Sequence, residues 1–300
     1  MLMLNWLMFA ITAIATPSVD SCKQCIVLAE QSQHRIVIAD VPSQQIIWEW
    51  KPELSNVKPE HVKWFSSPSD AKVVYNGKYI LTCASGGGVA LVRIADKKTL
   101  FYAYAGGNTH SAEVLPDGNI VAASSTGNYL TIFSVDTTQA AEQVYSHKVP
   151  IAFGHNVVWD QHRQLLWSAA QTQLRTFKYN FNKKQPDLIP DTAVALPGKE
   201  AHDLFPVYNS DALWLTNTTN VYQVNAATRA LTTANTDYQK NIKSITDGPA
   251  GFPGIIILPK VSWWTDEVLD TKGQRIFYQE GLKIYKARWV LPNTFSYGKQ

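Results

Sequence analysis

NTHSAEVLPDGNIVAASSTGN, residues 108–128, contains two short apolar segments on either side of Pro-Asp-Gly. Pro, Asp and Gly in this order favour a tight turn between two strands, so the stretch predicts an antiparallel hairpin. His110 stands at the start of the first predicted strand. The same arrangement, a histidine before a short apolar strand, returns in HNVVWD from His155 and in HDLFPV from His202. The hairpin is therefore one copy of a repeat.

The repeat is about forty residues long and predicts four short strands per copy, the fourth looser than the others. Five copies can be aligned, with starting positions 40 to 47 residues apart at Asp70, His110, His155, His202 and Lys243. A period of this length with four strands in each unit is the sequence signature of a β-propeller blade.

The two ends of the chain predict the sixth blade. The N-terminal segment supplies three strands, Cys25–Glu30, Arg35–Asp40 and Gln45–Trp50, and the C-terminal segment LKIYKARWV, residues 282–290, supplies one. Joining them closes the ring and removes exposed sheet edges. A seventh blade would need about forty further residues, and none remain. The sequence therefore predicts an all-β, six-bladed propeller with four antiparallel strands per blade, as one domain over residues 23–300.

Composition narrows the class of partner. The chain has 300 residues, of which 45% are hydrophobic and 17% charged, and its net charge is +3. No cluster of five or six Lys or Arg occurs, which argues against nucleic acid as a ligand. We expect a monomer that binds a small molecule or a glycan.

The N-terminus predicts export. Residues 1–22 begin with an almost wholly apolar stretch and offer an Ala-x-Ala cleavage site at Ala13 and Ala15, which is typical of a secretory signal peptide. Residues 19–22, VDSC, loosely resemble a lipid-attachment box. A buried N-terminal helix or strand is the structural alternative. We expect a secreted, periplasmic or cell-surface protein with no transmembrane span after signal removal.

The three cysteines leave several pairings open. Cys22, Cys25 and Cys83 form an odd set, which in an exported chain fits one disulfide plus a free or lipidated thiol. A bridge from Cys22 or Cys25 to Cys83 is one pairing. The motif Cys22-x-x-Cys25 alone offers too few ligands for zinc.

The repeated histidines predict a site on the propeller axis, because the first strand of each blade lines the central channel. A ring of side chains at one mouth is expected from the starting positions, namely Asp70, His110, His155, His202, Lys243 and Lys283. One interpretation is structural: polar groups in a wet channel satisfy one another through water.

Two interpretations give this ring a function. Three imidazoles with an open fourth position can hold a divalent metal, to which Asp70 could add a carboxylate, although Lys243 and Lys283 would repel a cation. Alternatively, the cationic side chains bind an anionic ligand such as a uronic acid while a histidine acts as base. Under either interpretation His110, His155 and His202 are the candidate catalytic residues. Trp263 and Trp264 are candidate sugar-stacking residues, but neighbouring residues on a strand point to opposite faces, which favours packing for at least one.

Several motifs together suggest a family. ASGGGVALV, FYAYA, THSAEVLPDGNIVAAS, GHNVVWD, HDLFPV and SWWTDEV resemble those of secreted six-bladed β-propeller proteins of unknown function, found largely in bacteria. The resemblance covers about residues 25–290 and implies the fold, and its motif residues are His110, His155, His202, Trp263 and Trp264. It implies no chemistry. More distantly, the predicted fold is similar to that of propeller polysaccharide lyases and glycosidases. This similarity is an analogy of fold.

Two functions follow as hypotheses. In the first, the channel mouth binds, and in an enzyme cleaves, a small or carbohydrate-like ligand. In the second, the protein is a non-catalytic binding or interaction propeller with a water-filled polar channel.

Overall fold

The computed structural model describes residues 18–298, so most of the predicted signal segment lies outside the described residues. Six four-stranded antiparallel sheets follow one another around the ring. Blade 1 takes its outer three strands from the N-terminus, β1 (Cys25–Glu30), β2 (Arg35–Asp40) and β3 (Gln45–Trp50). These are the three strands that the sequence predicts.

Blades 2 to 6 are each built from four consecutive strands. Blade 2 contains β4 (Pro68–Val74), β5 (Tyr79–Ala84), β6 (Gly88–Arg93) and β7 (Thr99–Tyr104). Blade 3 contains β8 (Thr109–Val114), β9 (Ile120–Ser124), β10 (Tyr129–Phe133) and β11 (Ser146–Pro150). Blade 4 contains β12 (Val158–Asp160), β13 (Leu165–Ala169), β14 (Gln173–Tyr179) and β15 (Leu188–Ala195). Blade 5 contains β16 (Asp203–Pro206), β17 (Ala212–Thr216), β18 (Val221–Asn225) and β19 (Leu231–Thr233). Blade 6 contains β20 (Ser244–Thr246), β21 (Ile255–Ile257), β22 (Glu267–Asp270) and β23 (Arg275–Tyr278).

The last strand closes the ring. β24 (Ile284–Trp289) pairs antiparallel with β1, from Ile26 opposite Trp289 to Glu30 opposite Ile284, and becomes the inner strand of blade 1. The predicted six-bladed architecture, including its closure by the C-terminal strand, is confirmed. Because this strand comes from the far end of the chain, the closed ring depends on a contact between the two ends of the sequence.

Apolar side chains pack between the blades. One cluster joins Ile36 and Ile38 of blade 1 to Ile80 and Val92 of blade 2. All six residues of β1, the second strand of blade 1, are buried, because both faces of its sheet lie against neighbouring blades. This explains why the strands read as nearly continuous apolar runs.

Helical structure is confined to short 3-10 segments, at Val19–Ser21, Pro52–Leu54, Pro59–Phe65 and Ala141–Gln143. Within residues 18–298, no helix is long and apolar enough to cross a membrane.

The cysteines pair locally. Cys22 and Cys25 form a disulfide, and Cys83 is a free, buried thiol. A bridge to Cys83, one of the pairings left open by the sequence, is therefore not the one in the structure. Lipid attachment to the sulfur of Cys22 would require this disulfide to be absent.

Candidate functional site

The inner strands place successive rings of side chains along the channel. In β4, β8 and β24 the pairing skips one residue at the start of the strand, namely Ser69, His110 and Tyr285. Such a bulge leaves one residue unpaired and redirects its side chain. In the other three blades the equivalent residue is not part of a bulge and pairs with the second strand of its blade. The backbone amides of His155, His202 and Lys243 donate to the carbonyl oxygens of Ala169, Thr216 and Ile257, respectively.

The first ring therefore contains Ser69, His110, His155, His202, Lys243 and Tyr285. Four of these six were predicted from the repeat. The predicted register is off by one residue at Asp70 and by two residues at Lys283, and in both strands the residue that belongs to the ring is the unpaired residue of a bulge. Asp70 lies one residue deeper, next to Ser69. Lys283 is exposed, with its Nζ 5.1 Å from the ring centroid of Trp264.

The three histidines lie against one another at this mouth. The imidazoles of His110 and His155 stack, with centroids 4.1 Å apart and planes at 16°. His202 approaches His155 edge-on at 5.7 Å. The Tyr285 hydroxyl lies 3.4 Å from His155 Nε2. The structure thus brings the three predicted histidines into contact, and their catalytic role stays a prediction.

Burial keeps the imidazoles neutral. Desolvation, followed by the positive charge of Lys286, lowers the pKa of His110 to about 3. Desolvation and the charge of Lys243 likewise lower the pKa of His202 to about 3, and the pKa of His155 is also well below its usual value, by burial and then by His110. Neutral imidazoles can stack, whereas two imidazolium ions at this separation would repel each other.

Each of the three imidazoles has a ring nitrogen without a hydrogen-bond partner among the described residues. The Nδ1 atoms of His110, His155 and His202 are buried and have no hydrogen-bond partner among the described residues. His202 Nε2 lies 3.2 Å from Lys243 Nζ, which donates to it. Within the described chain, the His110 imidazole makes no hydrogen bond at all, which is unusual for a buried polar side chain.

Lys243 is the cation of the first ring. Burial and the charge of Lys286 lower the pKa of its ammonium group to about 8, so that it remains largely protonated at neutral pH. It forms no ion pair with a carboxylate of residues 18–298. The mouth thus combines neutral imidazoles with one ammonium group that forms no salt bridge among the described residues, although the more distant carboxylate of Glu200 raises its pKa.

The geometry does not assemble a three-histidine metal centre. A metal ion lies in the plane of each imidazole that binds it, and the planes of His110 and His155 are nearly parallel. Among the described residues, potential ligand atoms come within 4.8 Å of one another in two other groups, Cys22 with Cys25 and Asp40, and Glu60 with His61 and Glu142. The cysteines of the first group are bonded to each other as a disulfide. A metal at the histidines stays a prediction without support from this arrangement.

Below the first ring, a buried ionic network lines the channel. Its members are Asp70, Asn156, Asp203, Lys286 and Arg288. Arg288 donates to both oxygens of Asp203 at 2.6 Å, and Lys286 lies 3.1 Å from the same carboxylate and 3.6 Å from Asp70. Burial disfavours ionisation of both carboxyls, but Arg288 and Lys286 overcome it and hold the pKa of Asp70 and of Asp203 below its usual range. Lys286 also donates to Asn156 Oδ1 at 3.1 Å.

At the opposite mouth, residues 294–297 bond to residues at or next to the ends of two inner strands. Lys72 pairs with Glu113 at 2.9 Å, and burial raises the pKa of that carboxyl despite the nearby ammonium. The hydroxyl of Tyr297 donates to Glu113. Thr294 O and Phe295 O accept hydrogen bonds from Gln161, which fixes the segment across the channel.

Apart from Asp70, the members of this network were not predicted from the sequence, and neither was Tyr285. A signal exists in the strands themselves, because polar residues occupy alternate positions within apolar inner strands, as in Asp70 and Lys72 or in Lys286 and Arg288. Residues two apart on a strand share a face. The alternation therefore identifies the channel-facing side once the strand is known to be the inner one.

The two predicted sugar-stacking tryptophans lie on the same face as the histidine mouth but apart from the cluster. Trp263 is 53% exposed and donates to Gln31 Oε1 at 3.0 Å, while Trp264 is partly covered by Lys283. Neither makes a ring contact or hydrogen bond with the three histidines.

Solved structures with similar folds include a protein of unknown function from Bacteroides caccae, with a TM-score of 0.55 and 15% identity over 89% of this chain and 98% of that one. Kuenenia stuttgartiensis hydrazine synthase has a TM-score of 0.53 and 15% identity, covering 89% of this chain and 80% of that one. Dihydro-heme d1 dehydrogenase NirN in complex with DHE has a TM-score of 0.50 and 14% identity, over 86% of this chain and 54% of NirN, so this chain spans about half of that protein. At these identities the likeness shows the fold alone.

No curated protein matches the chain by sequence. One family model, described as "Family of unknown function (DUF6528)", matches residues 9–300. The six-bladed ring and its histidine mouth therefore belong to a member of the DUF6528 family of unknown function.

Proposed function

We propose that this protein binds a small carboxylate-bearing ligand at the histidine mouth. The observation that carries the proposal is that one mouth holds both an imidazole without a hydrogen bond, His110, and an ammonium group without a salt bridge in the described chain, Lys243. A buried polar group without a partner is unfavourable, and a ligand that supplies the partner gains the corresponding free energy.

The charge distribution favours an anion. In the network below the mouth, three cations, Lys72, Lys286 and Arg288, face three carboxylates, Asp70, Glu113 and Asp203. These charges compensate one another, whereas the charge of Lys243 does not have such a partner. A carboxylate at the first ring can accept from Lys243 and from imidazole N–H groups, and it introduces the missing negative charge.

The ligand class is narrowed by what surrounds this ring. The mouth offers one cation and several neutral donors, which suits a single carboxylate on a polar body such as a uronic acid better than a polyphosphate. The exposed Trp263 on the same face provides a surface for a sugar ring of a longer glycan.

Calorimetric titration with glucuronate and galacturonate at pH 7 tests the proposal, with glucose as the neutral comparison. Lys243→Met should weaken uronate binding about ten- to a hundredfold, because a charge-assisted hydrogen bond is lost. Lys283→Met is the matched control, since Lys283 lies on the same face but outside the ring, and its effect should stay within about twofold. Equal affinity of the wild type and Lys243→Met would contradict the proposal.

A second probe separates two sources of the carboxylate. One structurally similar protein, NirN, is described in complex with DHE, so a haem-type compound with propionate groups belongs in the titration. Tighter binding of this compound than of the uronates, with the same dependence on Lys243, would assign the site to a tetrapyrrole carboxylate.

Cleavage is the second candidate, and Lys243 is the observation that favours it. The imidazoles are weak bases at these low pKa values, whereas an amine with a pKa of about 8 is well matched to a general base near neutral pH. In a uronate-containing glycan this base would remove the C5 proton beside the carboxylate, a C4=C5 bond would form as the glycosidic C4–O bond breaks, and the leaving oxygen would take a proton from water. Ultraviolet absorbance of the unsaturated product checks this step. Absence of product from polyuronates, with binding retained, leaves the non-catalytic function.

A further inference from the structure

A separate cavity lies at the opposite mouth of the channel. It has a volume of about 300 Å³ and reaches the ends of β4 and β8 at Val74 and Val114, whereas the histidines lie at the starts of the inner strands. Its volume is at the lower end of those found for small-molecule pockets. None of the described residues that line it carries a formal charge at neutral pH.

The wall of this cavity is aromatic on one side. Trp159 and Phe181 meet edge to face, with centroids 6.2 Å apart and planes at 80°. Trp159 is held in the core between neighbouring strands, while Phe181 is 47% exposed. Such a pair offers a fixed apolar corner against which the C–H face of a ring compound can pack.

The other side of the cavity is polar. Gln164 is exposed at its edge, and Ser296 lines it from the C-terminal segment. The Ser296 side chain is only 2% exposed, and its hydroxyl has no hydrogen-bond partner in the described chain. A serine side chain changes rotamer by rotation about one bond, so this hydroxyl can turn to a ligand group. A neighbouring hydroxyl of the ligand would satisfy it.

We propose that this cavity is a second ligand site, specific for an uncharged pyranose sugar that stacks on Phe181 and bonds to Ser296. A neutral sugar combines an apolar ring face with several hydroxyl groups, which matches an uncharged aromatic corner beside an unsatisfied hydroxyl. The site is independent of the histidine mouth and takes ligands of different charge.

The test measures tryptophan fluorescence and calorimetric heat with the methyl glycosides of glucose, galactose and mannose. Phe181→Ala should weaken binding at least about fivefold, and Ser296→Ala about three- to tenfold, through loss of one hydrogen bond. Leu54→Ala removes an exposed apolar side chain elsewhere and should leave the affinity unchanged. Glucuronate should bind here more weakly than methyl glucoside, because the cavity offers it no cation.

Stability and affinity should move in different directions for Ser296→Ala. The substitution removes a buried hydroxyl that has no partner, so the melting temperature should be unchanged or raised while sugar binding weakens. A serine with a purely structural role would lower the melting temperature and leave binding alone. Gln164→Ala, at an exposed position, provides a second variant that retains the fold.

Three outcomes would overturn the proposal. These are the absence of binding by every neutral glycoside, binding that none of the three cavity variants weakens, and preferential binding of an aromatic compound such as indole. Lys243→Met at the other mouth should not change neutral-sugar binding, so failure of the carboxylate site and failure of this site are distinguishable.

Discussion

Substitution of Asp203 by asparagine perturbs the centre of the buried ionic network. The Asp203 carboxylate accepts from both terminal nitrogens of Arg288 at 2.6 Å, from Lys286 at 3.1 Å and from the amide of Ile245 at 3.0 Å. An amide has nearly the same shape but removes one negative charge. Of the two cations next to it, one is then left without a compensating carboxylate.

The expected effect is large because every member is buried. Removing one partner of a buried ion pair lowers the free energy of unfolding by about 3–5 kcal/mol. In a chain of this size, such a loss corresponds to a fall in melting temperature of about 5–8 °C. Asp70 shares Arg288 and Lys286 and can take over part of the pairing, which places the estimate toward the lower end.

Urea unfolding followed by tryptophan fluorescence measures the difference, with Asp211→Asn as the matched control. The Asp211 side chain is 50% exposed and pairs with Arg163 at the surface, so its loss should lower the unfolding free energy by less than about 1 kcal/mol. Adding Lys286→Met to Asp203→Asn restores the charge balance and should recover part of the stability. A loss of less than about 1 kcal/mol in Asp203→Asn would refute the view that charge compensation holds the channel together.

Three further results are expected. His110 and His202 have pKa values of about 3 in the folded state, below the usual 6.5, so the unfolded chain binds protons first and stability should fall as pH drops below 6.5. Urea titrations at pH 7.5 and 5.0 should show a loss of about 2 kcal/mol for each, and a double His→Gln variant with an unchanged loss would contradict this. Burial raises the pKa of the Cys83 thiol, so mass spectrometry should find it unmodified by iodoacetamide in the native protein and singly modified after unfolding without reductant. Tyr297→Phe removes the hydroxyl that donates to Glu113 and should lower the unfolding free energy by about 1–3 kcal/mol, which a calorimetric melt would detect and an unchanged melt would exclude.

Much of the fold was predictable because its determinants are local. Turn residues and short apolar strands recur at a nearly constant spacing, and the strands Cys25–Glu30 and Arg35–Asp40 have the predicted bounds. Closure by the C-terminal strand was predictable for another reason: one blade lacked an inner strand, and one strand lacked a blade.

The composition of the site was predictable only in part. Four residues of the first ring follow from the repeat, but Ser69 and Tyr285 do not. Each is the extra residue of a bulge, as His110 is, but neither is a histidine that would mark the start of a repeat. A bulge is defined by pairing with the neighbouring strand, and no local sequence pattern marks it here. The ionic network poses a similar difficulty, since Asp70 and Arg288 are 218 residues apart in sequence and meet only across the closed ring.

The layering of the channel explains why a ligand would stay at the first ring. Going deeper would require it to displace Asp203 or Asp70 from Arg288, in a region where these ions already satisfy one another. Lys286, in that layer, also affects the mouth, because its positive charge contributes to the low pKa of all three histidines. An anion bound at the mouth would oppose this effect and raise the imidazole pKa, so binding should take up protons and strengthen as pH falls. Above pH 8 the loss of the Lys243 charge should weaken binding further. Calorimetry in buffers of different ionisation enthalpy measures the proton uptake, and zero uptake at pH 8, where Lys243 is about half protonated, would place the anion away from Lys243.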